Sequence, residues 1–181
     1  TEAVMVEPYP SITNGDGERG YATGYALRKG GSFNRKHYAN GGGYTAAVCF
    51  RAVEALLNDM EASYMLTGTL DATAREYWTA IRQRANISTD IDKTIAATNM
   101  SLEAENDWGA YTAGAILTDK TLYNIRRERR CEFMAEGIRY MDLRRWRSMD
   151  QLVSTPSHLE GMHLWNTPME SWYLNGQGQT I

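Results

Sequence analysis

The stretch IRRERRCEFMAEGIRYMDLRRW, residues 125–146, is the densest set of chemistry-bearing groups in the chain. Seven arginines, with no lysine among them, interleave with Glu128, Glu132, Glu136 and Asp142 and with the aromatics Phe133, Tyr140 and Trp146. Three chemistries use such residues. An arginine-rich helix binds nucleic-acid phosphates when its cations share an exposed face. Two carboxylates four residues apart, as Glu132 and Glu136 are, can share a site as general acid and base. Arginine and carboxylate can also pair in a confined interior, where the planar guanidinium fork meets a carboxylate in two parallel hydrogen bonds.

The helical period discriminates among them. At about 100° per residue, Leu122, Ile125 and Phe133 define an apolar face, Arg129 and Glu136 fall within it, and Arg126 and Glu132 flank it. A charge directed into a packed interface is costly unless it is paired and hydrogen-bonded. Arg129 and Glu132 are expected to meet along the helix, and Arg139, Asp142 and Arg145 to exchange partners with them. The segment IRYMDLRRW is apolar all round, so Asp142 and Arg145 are expected inside. The interleaved acids deny the stretch a net positive face, and arginines crowd Glu132 and Glu136. Both observations favour a buried Arg/Glu/Asp lattice over nucleic-acid binding or catalysis.

The remaining chemistry-bearing residues are sparse. The net charge is -3, which argues against a general nucleic-acid binder. GDGERG at 15–20 satisfies G-x-G-x-x-G, but no strand precedes it and no helix opens on its third glycine, so no dinucleotide cofactor is expected. His158 and His163, with Glu160 between them, lack a third ligand at a recognised spacing, so no metal is expected. Cys49 and Cys131 fall in helix-like segments and are expected as buried small hydrophobes. No run of roughly 18 apolar residues exists to span a membrane.

The elements that must position the charged stretch are helices. Residues 1–44 are a glycine- and tyrosine-rich, loop-like entry, in which GYALRKG at 24–30 is a candidate edge strand. Residues 45–86 read as a helical pair. Within 45–67, Cys49, Val53, Leu56, Leu57, Met60 and Tyr64 share one face, with Arg51 and Asn58 opposite. Gly68 stops that helix and Asp71 caps the next, at about 72–86, with Ala74, Tyr77, Trp78, Ile81 and Ala85 on one face. Residues 87–117 read as a loop insertion, with an ambiguous short helix within 92–107. Residues 118–149 form a second pair, at about 119–135, capped by Thr118 or Asp119, and about 138–149, with Gly137 between. Residues 150–181 are a loop-rich tail. The expected class is mainly α, built from repeat-like helical pairs with long irregular loops and little strand. Paired amphipathic helices of this kind also suit a scaffold that binds only protein.

Three segments, in order, resemble the SusD/RagB family. The family pattern near its C-terminal end runs Arg-x-Glu-Arg-Arg-x-Glu-Phe, then Glu-Gly, then Arg-Tyr/Phe-x-Asp-Leu-x-Arg-Trp. Arg126, Glu128, Arg129, Arg130, Glu132, Phe133, Glu136, Gly137, Arg139, Tyr140, Asp142, Leu143, Arg145 and Trp146 match it, with Arg127 at the variable position between the first two. Cys131 and Met134 stand where aliphatic residues are usual. CFRAVEALLNDMEASYMLTG with ATAREYWTAIRQRANI resembles the family's preceding helical pair, and GYALRKG the strand-like piece before it.

The resemblance implies tetratricopeptide-like helical pairs and a non-catalytic surface lipoprotein of the outer membrane. Such proteins capture glycans or other large nutrients and deliver them to a SusC-like TonB-dependent transporter; no cofactor and no nucleic acid is involved. It also implies that the chain is the C-terminal portion of a longer precursor, whose signal peptide, lipidated cysteine and most ligand contacts lie upstream. Glycan capture needs aromatic faces for sugar rings. Trp108, Trp165 and Trp172 are the candidates, chosen by size.

Overall fold

The computed structural model describes residues 23–25, 27–32, 34–37, 41–43, 48–154 and 161–173. The chain divides into two compact units, Val48–His158 and Thr1–Ala47 with Leu159–Ile181. The described part is mainly helical, as the sequence pattern requires, with a single two-stranded sheet.

The Val48–His158 unit begins with α1 (Ala52–Thr67) and α2 (Ala72–Arg84). Gly68, at φ 71°, closes α1 by donating its N–H to the Tyr64 carbonyl at 2.8 Å. The Asp71 carboxylate caps α2, accepting from the Ala74 N–H at 2.8 Å. The first helix is shorter than its periodicity predicts. Residues 48–50 are non-helical and exposed, Arg51 is extended, and residues 45–47 lie outside the described residues. Cys49 therefore precedes the helix and is exposed; Cys131 is exposed too, beside Arg130 and near Met134 on an outward face. The expectation of two buried thiols is overturned.

Val53, Leu57 and Met60 of α1 and Ala74, Trp78 and Ile81 of α2 form one core with Ile91, Ile125 and Phe133. Leu57, Met60, Trp78 and Ile125 are fully buried. Burial of side chains of this size contributes about 1.5–3 kcal/mol each, which makes this contact the main apolar anchor of the unit.

Residues 87–117 are more ordered than their Thr-, Asn- and Gly-rich composition suggests. They hold α3 (Ile91–Ala97), α4 (Met100–Asn106), a 3₁₀ turn (Trp108–Ala110) and a hairpin of β1 (Tyr111–Thr112) and β2 (Ala115–Ile116). The polar residues that looked like loop are caps: Asp90, Asn99 and Asp107 each accept a backbone N–H at the start of a helical turn. The hairpin turns through Ala113 and Gly114, both at positive φ, as a two-residue turn demands.

Next, α5 (Lys120–Glu132) packs on α1 and α3. Asp119 is its cap, accepting from Thr121 N–H at 2.9 Å and Leu122 N–H at 3.0 Å. The break after α5 comes earlier than Gly137: Phe133 caps the helix, and Ala135 (φ 63°) and Gly137 (φ 78°) turn the chain. α6 (Arg139–Arg145) is likewise shorter than expected, because Arg147 turns left-handed at φ 56° and the Ser148 N–H donates back to the Leu143 carbonyl at 2.8 Å. A single helical turn, α7 (Gln151–Ser154), follows.

In the other unit, no strand forms among the described residues of 24–30. The Gly31 N–H donates to the Arg28 carbonyl at 3.0 Å, with Gly30 at φ 76°, and this turn replaces the expected edge strand. GDGERG, His158 and Glu160 lie outside the described residues. Among the described residues, no helix is long and apolar enough to cross a membrane.

Asp119 joins two elements, because its carboxylate also accepts from the Tyr64 hydroxyl of α1 at 2.9 Å. Asp119→Ala is expected to lower stability by about 1–2 kcal/mol, the upper range for a lost cap. Urea denaturation measures it; a loss of a few tenths would mean that water replaces the cap.

Candidate functional site

The charged stretch occupies α5, α6 and the turn between them, and its buried centre is the pair Arg129–Asp142. Both residues are almost wholly buried. The Arg129 Nε–H reaches both Asp142 oxygens at 2.8 Å, Nη1 donates to Asn58 Oδ1 at 2.9 Å, and Nη2 stands 3.5 Å from Glu54. Arg145, expected inside with Asp142, is instead exposed, because α6 is buried on one side only, but its Nε still donates to the same Asp142 at 2.9 Å. Its two Nη groups then grip Glu61 of α1 in parallel, at 2.7 and 2.6 Å. The Trp146 indole N–H completes Glu61's shell at 2.7 Å. A chain of alternating charge thus runs from α5 through α6 to the buried flank of α1.

Two further knots bind α5 to the first helical pair. Glu128 accepts from Arg82 Nε at 3.0 Å and Nη2 at 2.9 Å and from the Trp78 indole at 2.9 Å. Glu132 pairs with Arg51 and Arg84, and Arg51 also reaches Glu136 at 2.5 Å. The expected meeting of Arg129 with Glu132 along the helix gives way to these long-range partners, and Arg51 and Asn58, placed by the pattern on the far face of α1, supply contacts instead. Glu136 lies in the turn after α5, where the helical wheel no longer applies.

A third knot is built on Asp107. It accepts from Arg139 at 2.5 Å, Arg130 at 2.9 Å, the Gly109 N–H at 2.8 Å and the Tyr123 hydroxyl at 3.2 Å. Burial alone would raise this carboxyl, but the Arg130 and Arg139 charges outweigh it and hold Asp107 below the usual range. The knot is tight at Gly109: a Cβ would stand 3.1 Å from Asp107 Oδ1 and 3.3 Å from the Arg139 guanidinium, so either side chain would have to shift to admit one. On the other side of Asp107, Arg127 pairs with Glu103 at 2.7 Å.

Arg126 is treated differently. It is buried, and its Nη1 donates to the Gly109 and Tyr111 carbonyls and to Thr112 Oγ1 at 3.1–3.3 Å. Its guanidinium lies 4.9 Å from the Trp146 ring, which Arg139 and Arg145 also approach, at 5.5 and 4.9 Å. Burial brings Arg126 down to about 10; the Arg145 and Arg139 charges push the same way, against Glu61 and Asp107. The indole face thus serves Arg126, which has no carboxylate within salt-bridge distance among the described residues, together with two arginines that carboxylates already pair.

The arrangement is a clasp. It brings together Arg126, Arg127, Glu128, Arg129, Arg130, Glu132, Glu136, Arg139, Asp142, Arg145 and Trp146, with Gly137 turning the chain between the two helices. Its partners on the first helical pair and the Asp107 turn were not singled out in the sequence: Glu61, Arg82, Arg84 and Asp107. Glu61 offered a signal, since it lies four residues after Leu57 and beside Met60 on a helix whose stripe is otherwise apolar.

The candidate ligand aromatics fall elsewhere. Trp108 is half-buried at the 3₁₀ turn after Asp107. Trp165 is exposed in the other unit. Trp172 lies in a 3₁₀ turn, Glu170–Tyr173, its side chain outside the described residues. Among the described residues, no group of three or more His, Cys, Asp or Glu side chains is placed to hold a metal ion.

A family model, described as the SusD family, matches residues 6–176. Comparison with curated proteins and comparison with solved structures each returned no match.

Arg129→Ala would take the closest cation from buried Asp142, leaving Arg145 alone to match it, and is expected to cost about 3–5 kcal/mol. Arg75→Ala, removing the exposed pair that Arg75 forms with Asp92, should cost under about 1 kcal/mol. Chemical denaturation of the two variants tests the contrast, and equal losses would mean the lattice is solvated throughout. Stability should also respond to alkali. Burial, the hydrogen bond to Glu103, and the Asp107 and Glu103 charges push the Tyr123 phenol well above its ordinary value. Unfolded, it ionises near pH ~10; folded, it keeps its proton, so the unfolded chain binds fewer protons above that pH and stability falls as pH rises. Denaturation midpoints measured from about pH 8 to about pH 11 should drop, less steeply for Tyr123→Phe. Tyr64, raised by burial and by its bond to Asp119, leaves a residual slope.

Proposed function

The chain belongs to the SusD family, and on that premise we propose that it captures a glycan or similar nutrient at the outer-membrane surface and passes it, chemically unchanged, to a SusC-like TonB-dependent transporter. The observation that carries this reading is the family match over residues 6–176, which contains the whole clasp. The geometry of the acids supports the non-catalytic part. Glu61, Glu128, Glu132 and Asp142 are each held by guanidinium or indole donors, and Glu61 and Asp142 are buried. A general acid or base must reach its substrate within hydrogen-bonding distance; groups so enclosed serve the scaffold instead.

The chain, immobilised and presented with an array of neutral and anionic oligosaccharides, is expected to retain at least one class. In the native membrane it should co-purify with a TonB-dependent transporter. Transporter capture without saccharide retention would leave a protein-docking scaffold as the function, and absence of both would remove the proposal.

A further inference from the structure

We propose that an open groove on the Val48–His158 unit, between the α1–α2 turn, α3 and the start of α5, is a subsite for one neutral saccharide ring. The inference rests on the glycan-capture reading above and assigns it a location. The groove has a volume of about 420 Å³ and is walled by Tyr64, Leu70, Arg75, Asp92, Ile95 and Thr121. That lies within the roughly 300–1,000 Å³ range of small-molecule sites.

Its walls divide by chemistry. Tyr64, Leu70 and Ile95 are partly buried against the core and present carbon to the groove. The Tyr64 ring is fixed, because its hydroxyl donates to Asp119 at 2.9 Å. An aromatic or aliphatic wall of this kind matches the C–H face of a pyranose. Arg75 and Asp92 meet in a bidentate pair, at 3.0 and 3.1 Å. The pair uses two of the five guanidinium N–H donors and one lone pair on each carboxylate oxygen. Donors and acceptors therefore remain side by side, and vicinal hydroxyls, each a donor and an acceptor, require that alternation.

Stability does not account for this pair. The two side chains are 44% and 71% exposed, and exposed pairs contribute only about 0–1 kcal/mol. Its charges cancel, and the nearby Asp119 carboxylate is already occupied by the Thr121 and Leu122 N–H groups and by Tyr64. The groove thus offers no net positive charge to a uronate or a sulfated sugar, which selects a neutral ring.

The test is amide chemical-shift perturbation of the chain. The probes are the methyl glycosides of glucose, mannose and galactose, methyl glucuronide, and the oligosaccharide best retained on the array. At least one neutral probe should shift Thr69, Leu70, Ile95 and Thr121, and bind about tenfold or more weakly to Arg75→Gln and to Asp92→Asn, as loss of a charged hydrogen bond predicts. The glucuronide should shift them less. Both substitutions lie at exposed positions, and unchanged thermal melts would verify the fold. Perturbation confined to other residues, undiminished binding by both variants, or tighter binding of the glucuronide overturns the subsite while glycan capture stands. No perturbation by any probe, with an empty array, overturns the subsite and the capture reading together.

Discussion

The fold of the helical unit depends on the requirement that Asp142, once buried, be matched. A carboxylate out of water is tolerated only with opposite charge and hydrogen bonds on several sides. Arg129 and Arg145 satisfy Asp142, and each then needs further acceptors, which are Asn58 and Glu61 on α1. Placing α6, a helix of under two turns, is therefore largely an electrostatic matter. Its apolar contribution is small, with Leu143 buried but Tyr140 and Met141 exposed. The charge chain fixes α6 where packing alone would leave it loose.

Arginine suits this role for a geometric reason. Arg145 uses Nε toward Asp142 and both Nη groups toward Glu61, so one planar group links two carboxylates on different helices. A lysine ammonium has no such fork. The same logic recurs at Arg82, which reaches Glu128, Thr94 and the Ser88 carbonyl, and at Arg51, which reaches Glu132 and Glu136. Trp146 and Trp78 contribute in two ways, giving an N–H to a carboxylate and a ring face to a guanidinium.

Much of this was legible in the sequence, for reasons that differ by element. The helical pair was legible because Leu57, Met60, Trp78 and Ile81 recur at helical spacing and Gly68 and Asp71 punctuate it. Burial of Arg129 was legible because it falls between Ile125 and Phe133 on one face. Its partner was not. Residues three apart on a helix are neighbours in sequence space, but the contacts that decide the structure, Arg129–Asp142 and Arg145–Glu61, cross between elements, and no local period encodes them. Residues 87–117 misled for a related reason: Asp90, Asn99 and Asp107 are turn formers and helix caps alike, and only the packing of Ala104, Ala110 and Tyr123 decides between the two. The cysteines misled for two reasons: Cys49 lies just outside its helix, where the apolar period has no force, and Cys131 lies within α5 but off its buried face. The aromatics at 108, 165 and 172 were chosen by size, which carries no information about position.

The same physics separates what marks the family from what would touch a ligand. A buried ion pair cannot be changed one partner at a time without stranding the other, so the clasp residues constrain one another across α1, α2, α5 and α6. The Arg75–Asp92 pair and its groove carry no such constraint: exposed groups can be exchanged at little cost to stability. A scaffold held by interlocked interior charges can present different surface grooves without refolding. The clasp is thus the part of the sequence that identifies the fold most sharply, and it is also the part least able to vary with the ligand.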